Sequence, residues 1–180
     1  MNLQPGDIFA VRGTGIAGWA VRHLIAPVSD RFHFGLIWRK HGDDYIILES
    51  IFPKGVSVGL LSHYDIKELK FYRVNCAEGL RRRAPMALVR RGRILYDWFL
   101  PFKLGLGYTA IRLRLWATLK FRPIYAKELP YVRDSLFICT EAVQIAYLSV
   151  DFRIIPKGVA PTPNAFRLAE TTGRLTEITE

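Results

Sequence analysis

Two apolar runs in the first half of the chain, separated by a turn signal, limit the possible folds more than any other feature. The runs cover residues 32–38 and 44–50, are rich in aromatic and β-branched side chains, and flank His41-Gly-Asp. Short runs of this composition on either side of a Gly-Asp pair are typical of a β-hairpin. We therefore predict two antiparallel strands here.

Other segments of the first half extend this pattern. A turn at Pro5-Gly6 leads into an apolar run ending near residue 11, residues 55–61 form another apolar run, and residues 68–74 alternate charged and apolar side chains. These patterns predict three more strands. Helical spacing over residues 16–24 predicts a helix that ends at Pro27, and residues 76–96 form a second helical pattern, which Pro85 is expected to break or kink.

The second half contains a helix with a cysteine in its first turn. Ala142, Val143, Ala146 and Val150 follow Cys139 at spacings of three, four, seven and eleven residues, which indicates one buried helical face. The helix dipole and the unpaired amide groups of the first turn favour a thiolate over a thiol. The alternative is a small apolar core residue, because free cysteine is often buried.

The remaining segments complete an α+β prediction. Residues 152–155 are expected to form a short strand, residues 163–169 a final helical turn, and residues 171–180 a polar, frayed end. At 180 residues, with half of them apolar, the chain is predicted to be a single globular domain spanning residues 1–180.

A cysteine nucleophile needs a proton acceptor within hydrogen-bonding reach and a third polar group to orient that acceptor. Among the four histidines, His41 and His63 fall near turns, and His23 lies on an apolar helical stripe. His33 lies between two phenylalanines inside a predicted strand, and Glu49 is similarly placed in the next strand. Each residue alone has a structural explanation, but on adjacent antiparallel strands a carboxylate can orient an imidazole.

The cysteine count and spacing bear on redox chemistry and metals. Cys76 and Cys139 make no disulfide framework, and the histidines and cysteines show no paired ligand spacing, so no metal or cofactor is predicted. The N-terminus has neither a basic start nor an apolar core typical of a signal peptide. A cytoplasmic location is the default expectation.

The chain carries a formal net charge of +10. Arginines cluster at positions 81–93, and further basic residues lie among aromatic ones in residues 94–122. Such segments attract anionic polymers, nucleic acid or anionic membranes, whereas the simpler interpretation is a solvated basic helix face. The longest uncharged run within residues 94–122 is too short to cross a bilayer. A helix near 107–121 could lie on a membrane surface, with peripheral membrane association, or close the core.

Several short motifs together resemble those of one protein family. They are Gly6-Asp7, His33-Phe-Gly-Leu-Ile, Leu48-Glu-Ser followed by Gly55-Val, Tyr96-Asp97, and Phe137-Ile-Cys139-Thr-Glu141. In this order, with histidine before cysteine, they are similar to circularly permuted papain-like cysteine hydrolases of the NlpC/P60 superfamily, including YiiX-like and lecithin–retinol acyltransferase-like proteins. The family pattern differs here in the aromatic neighbours of His33 and in Thr140, which stands where a serine is usual.

The resemblance implies a permuted papain-like fold, in which an antiparallel sheet packs against helices that include the nucleophile helix. It implies Cys139 as nucleophile, His33 as general base and Glu49 as the residue that orients His33. The backbone N–H of Cys139 would contribute to an oxyanion hole.

Three functions are consistent with the sequence. The leading hypothesis is a cysteine peptidase or amidase that cleaves an amide or ester bond, with bacterial cell-wall peptides as the substrate class that the resemblance suggests. The second is a lipid-directed acyltransferase or thioesterase at a membrane surface. The third is a non-catalytic basic binding or structural module, although the chain has no recognisable nucleic-acid-binding motif.

Overall fold

The computed structural model describes residues 2–13, 29–51, 53–90, 99–118, 128 and 138–179, with the backbone alone for residues 99–105. Within these ranges the chain forms six strands: β1 (Ile8–Arg12), β2 (Arg31–His41), β3 (Asp44–Ile51), β4 (Gly55–Leu60), β5 (Leu69–Val74) and β6 (Leu175–Glu177). The helices are α1 (Glu78–Arg90), α2 (Phe99–Ala117), α3 (Cys139–Leu148) and α4 (Pro163–Thr171). Single 3-10 turns cover Leu61–His63 and Ile66–Glu68.

The strands form one six-stranded sheet in the order β4-β3-β2-β1-β5-β6, and every neighbouring pair is antiparallel. The predicted hairpin is confirmed as β2 and β3, joined by a turn at Gly42 and Asp43. Gly42 adopts a φ of 60°, a left-handed conformation that glycine reaches without a steric penalty. The α+β prediction is therefore confirmed for the described residues.

Alternate side chains of the strands enter two separate apolar cores, because successive strand residues point to opposite faces of a sheet. On one face, Ile8, Phe34 and Leu36 pack with residues of α1, α3 and α4. On the other face, Phe9 and Ile37 pack with apolar residues from β3, β5 and the connecting loops. The central strands are thus buried on both sides, which holds β2 in a defined place beneath α3.

Pro85 does not break its helix, as one of the two predicted outcomes required, because α1 continues through it from Glu78 to Arg90. Proline removes the hydrogen bond that would reach the carbonyl of the residue four positions earlier, here Arg81. That carbonyl packs against Gly6, where a Cβ atom would collide with it. Gly6 also has a φ of 89°, so both its backbone conformation and its contact with α1 require glycine.

The strand predicted at residues 152–155 is wrong, since this segment is an irregular loop. Ile154 and Ile155 are fully buried, which explains the apolar pattern. The backbone N–H of Ile155 donates to the side chain of Gln144 in α3 at 2.9 Å. A side chain therefore supplies the partner that a neighbouring strand would otherwise provide.

The C-terminal end was predicted to be frayed, and this too is wrong. After α4, which confirms and extends the predicted helical turn, residues Leu175–Glu177 add strand β6 to the edge of the sheet beside β5. Leu175 is 3% exposed and belongs to the larger core. One apolar side chain in a polar segment is too weak a pattern to predict a strand, whereas pairing with β5 makes it one.

Some predicted features lie outside the described residues: the helix at residues 16–24 with His23, the Tyr96-Asp97 motif, and residues 91–98 and 119–127. Among the described helices, none combines the length and the apolar character that crossing a bilayer requires.

Candidate active site

The first turn of helix α3 places Cys139 beside the beginning of β2. The helix begins at Cys139 after the extended residue Ile138, so the thiol lies in the first helical turn, as predicted. Residues 139–147 are all buried, because the helix packs against the sheet and α1. Cys139 itself is 8% exposed. Since its N–H is one of the first amide groups of the helix, it has no partner within the helix.

The structure brings His33 and Glu49 together, although they are not directly opposite each other. The register of β2 and β3 places Glu49 across from Gly35, two residues beyond His33. Diagonal neighbours of this kind remain within reach of long side chains. His33 Nε2 and Glu49 Oε2 are 2.6 Å apart, with side-chain exposures of 12% and 7%. A short, largely buried contact between these groups is a charge-assisted hydrogen bond.

The other side of the imidazole faces the cysteine. Burial by itself lowers the pKa of His33, but the hydrogen bonds with Cys139 and Glu49 and their negative charges outweigh it and raise the pKa to about 9. Burial likewise raises the pKa of Cys139, but the hydrogen bond and positive charge of His33 reverse the effect, so the pKa lies below its ordinary value. The pair therefore favours a thiolate beside an imidazolium.

Backbone groups of the strand and the helix surround the sulfur. Cys139 Sγ lies 3.8 Å from the carbonyl oxygen of Phe32, which the protonated thiol can reach as a donor. The N–H groups of Phe34 and Thr140 help to lower the pKa of Cys139 because they donate to the sulfur. The aromatic residues around His33 thus contribute their backbone atoms directly to the thiol environment.

Tyr64 is a site residue that the sequence analysis missed. It follows the 3-10 turn Leu61–His63, and its hydroxyl donates to Glu49 Oε2 at 2.5 Å, the same oxygen that contacts His33. The rings of Tyr64 and His33 stack with centroids 6.1 Å apart. Burial raises the pKa of Glu49, but the contacts with His33 and Tyr64 outweigh it and lower the pKa. No local sequence pattern identifies Tyr64, because its contact with Glu49 depends on the pairing of β4 with β3, after which the chain returns past Glu49.

The remaining candidates lie elsewhere. His41 and His63, which the sequence placed near turns, are both exposed. The arginine cluster is not one uniform basic surface: Arg81 is buried and donates to Gln4, whereas Arg82 pairs with Glu78 at 2.6 Å. A polyanion partner for the cluster stays a prediction.

Comparisons with known proteins identify a fold but no family. No protein-family model and no curated protein sequence matches the chain. Among solved structures, the chain is similar to the metalloprotein YiiX of Escherichia coli O157:H7, with a TM-score of 0.64 and 14% sequence identity over 100% of this chain and 98% of that one. At this identity the likeness concerns the fold alone, and the chain therefore has a YiiX-like α+β fold.

YiiX is described as a metalloprotein. In this chain the described residues contain no group of three or more His, Cys, Asp or Glu side chains that could hold a metal ion. In the site itself, Glu49 is occupied by two hydrogen-bond donors, and His33 lies between Glu49 and Cys139. The described residues therefore do not fit a metal centre.

Proposed function

We propose that the protein is a cysteine hydrolase that cleaves an amide or ester bond through an acyl-enzyme on Cys139. The observation that carries the proposal is the 2.6 Å contact of His33 with Glu49, together with a Cys139 thiol close enough to the same imidazole for each group to shift the pKa of the other. A nucleophile, a base and an orienting carboxylate in this sequence of contacts form the arrangement of a catalytic triad.

The reaction would proceed in two steps. The Cys139 sulfur attacks the substrate carbonyl carbon and forms a thioester, while His33 delivers the proton taken from the thiol to the departing amine or alcohol. Water then attacks the thioester as His33 accepts a proton from it, which releases the carboxylic acid and restores the thiol. Glu49 keeps the imidazole oriented and supports its charged form, with Tyr64 holding the carboxylate.

The negative oxygen of each tetrahedral intermediate needs donors. The N–H of Cys139 is suitable, because it stands at the start of α3 where the helix dipole is positive. Its position next to the nucleophile agrees with the oxyanion role that the resemblance to permuted papain-like hydrolases implies. That same resemblance suggests peptides of the bacterial cell wall as the substrate class.

A lipid-directed acyltransferase or thioesterase is the second candidate. It uses the same thioester but takes the acyl group from a lipid ester or a thioester. The exposed apolar side chains of α2 favour it. Mass spectrometry of products from amide, ester and thioester substrates separates the candidates. Free acid from an amide substrate supports the peptidase or amidase, free acid from a thioester alone supports a thioesterase, and a new amide or ester formed with an added amine or alcohol supports an acyltransferase.

The test of the proposal is the rate of alkylation of each cysteine as a function of pH, followed by peptide mass spectrometry. The pKa of Cys139 is lowered from 9.0, so its alkylation should reach half of its maximum below pH 9.0. Burial raises the pKa of Cys76, which serves as the internal control and should react only at higher pH.

Substitution of the base gives the second arm of the test. His33→Ala should move the alkylation midpoint of Cys139 upward, because the buried thiolate loses its positive partner. His41→Ala removes an exposed histidine at the end of β2 and should leave the profile unchanged. If Cys139 titrates together with Cys76 in the wild-type protein, or if a Cys139→Ala variant keeps its turnover of an amide or ester, the proposal is wrong.

A further inference from the structure

Helix α2 has two apolar faces rather than one. Tyr108 and Leu115 are each 8% exposed and lie seven residues apart, so they share one buried face. Leu106 and Leu113 have the same spacing, but they are 56% and 59% exposed. Leu106 and Leu113 each precede a buried residue by two positions, which corresponds to a rotation of about 200° around the helix axis. The face with Leu106 and Leu113 therefore points away from the buried one.

Trp116 extends the exposed face. It is 66% exposed and lies three residues after Leu113, one helical turn along the same side. None of the described strands or helices packs extensively against α2. Contiguous apolar side chains on a surface mark an interaction site, whereas single exposed ones are ordinary. We call the side chains of Leu106, Leu113 and Trp116 the outer face of α2.

Charged residues border this face. Arg112 and Arg114 are exposed on its two sides, at about 100° from Leu113 in each direction along the helix wheel. Long arginine side chains can keep their guanidinium groups in water or among phosphates while their carbon chains cover apolar surface. The outer face therefore combines an apolar stripe, a tryptophan and two flanking cations.

The charges decide between the possible partners. A second copy of the chain would bring these arginines close to their equivalents, and each copy has a net charge of +10. Nucleic acid would meet the arginines but would leave the apolar stripe uncovered. The headgroup region of an anionic bilayer accommodates both, because it offers phosphates above and acyl chains below, and tryptophan favours that boundary.

We propose that α2 docks the protein on the surface of an anionic lipid bilayer, with the helix lying in the membrane plane. The sequence of α2 contains Lys103, Arg112 and Arg114, and the helix is not apolar enough to cross a bilayer. This interaction does not depend on the chemistry of Cys139.

The experiment is co-sedimentation of the full chain with vesicles of phosphatidylcholine alone or of phosphatidylcholine with phosphatidylglycerol, at low and high salt. The wild-type protein should bind the phosphatidylglycerol vesicles at low salt, and binding should weaken at high salt because screening reduces the contribution of the arginines. A Leu113→Gln variant should partition about tenfold more weakly, since a leucine side chain no longer enters the apolar layer.

Matched variants make the result specific. Leu168→Gln alters a leucine in helix α4 that is 45% exposed and should leave binding unchanged. The double variant Arg112→Gln/Arg114→Gln should bind less to the vesicles that contain phosphatidylglycerol but equally to those of phosphatidylcholine alone. Circular dichroism checks that each variant is folded. Cys139→Ala should bind as the wild type does, so a failed hydrolase proposal and a failed docking proposal are distinguishable.

Three results would overturn the proposal. The first is an absence of binding to phosphatidylglycerol vesicles at low salt. The second is equal binding by wild type and by a folded Leu113→Gln or double-arginine variant. The third is a wild-type dimer in analytical ultracentrifugation without lipid that Leu113→Gln dissociates, since a second copy would then cover the outer face.

Discussion

At the scale of single residues, the carboxylate of Glu49 connects the base to the rest of the sheet. Its Oε2 atom accepts from His33 at 2.6 Å and from Tyr64 at 2.5 Å. The ionised form is favoured because two donors stabilise it within a largely buried environment. As long as Glu49 is negative, it supports the imidazolium of His33, which in turn supports the thiolate of Cys139.

The first prediction concerns Tyr64→Phe. Without the hydroxyl, the carboxylate loses one donor, so the pKa of Glu49 should rise and the imidazolium should lose its counter-charge at a higher pH. We expect the acid limb of the alkylation profile of Cys139 to move to higher pH, and kcat/KM to fall about tenfold, in line with one lost hydrogen bond to a charged group.

Tyr45→Phe is the matched control, because Tyr45 packs on the same side of the sheet and is not a donor to Glu49. If Tyr64→Phe lowers activity without moving the acid limb, Tyr64 contributes packing alone and does not position the carboxylate.

At the scale of elements, three side chains of α3 fasten the nucleophile helix to its surroundings. The hydroxyl of Tyr147 donates to the carbonyl of Gly6 at 2.6 Å, and Thr140 Oγ1 donates to the carbonyl of Pro161. Gln144 accepts from Ile155.

The Gly6-Asp7 motif has a structural role. The carbonyl of Gly6 accepts the hydrogen bond from Tyr147 near the end of the nucleophile helix. The buried carboxylate of Asp7 accepts from Arg73 at 2.7 and 3.0 Å.

The second prediction tests this attachment. Tyr147→Phe keeps the fully buried ring but removes the donor, which leaves the carbonyl of the buried residue Gly6 without that partner. The free energy of unfolding should fall by about 1–3 kcal/mol, measured by urea denaturation. A variant as stable as the wild type would indicate that this hydrogen bond does not stabilise the attachment of α3.

At the scale of the whole molecule, the last described residues close the sheet that positions the site. Strand β6 pairs with β5, which pairs with β1, which pairs with β2, the strand that holds His33. Leu175 of β6 also contributes to the core shared with α3. The C-terminal segment is therefore part of the folding unit.

The third prediction follows from this closure. Leu175→Ala should lower the free energy of unfolding by about 2–5 kcal/mol, because a buried leucine leaves a cavity when truncated. Thr179→Ala, at an exposed position in the same segment, should change it by less than about 0.5 kcal/mol. Equal and small effects of both substitutions in thermal or urea unfolding would mean that β6 is not integral to the fold.

The sequence by itself determined the features that depend on short-range patterns. The strands of the first half, the hairpin at Gly42 and the helix that begins at Cys139 were predictable, because their side-chain periodicity reflects which face is buried. His33 and Glu49 were identifiable as candidates because polar residues inside apolar strands need a partner.

Only the tertiary structure decided how distant segments meet. The register of β2 and β3 sets the diagonal contact of His33 with Glu49, and the return of the chain after β4 brings Tyr64 to the same oxygen. The incorporation of β6 and the continuation of α1 through Pro85 likewise depend on long-range contacts. Local patterns record whether a side chain is buried, whereas the identity of its neighbour depends on packing between segments far apart in the chain.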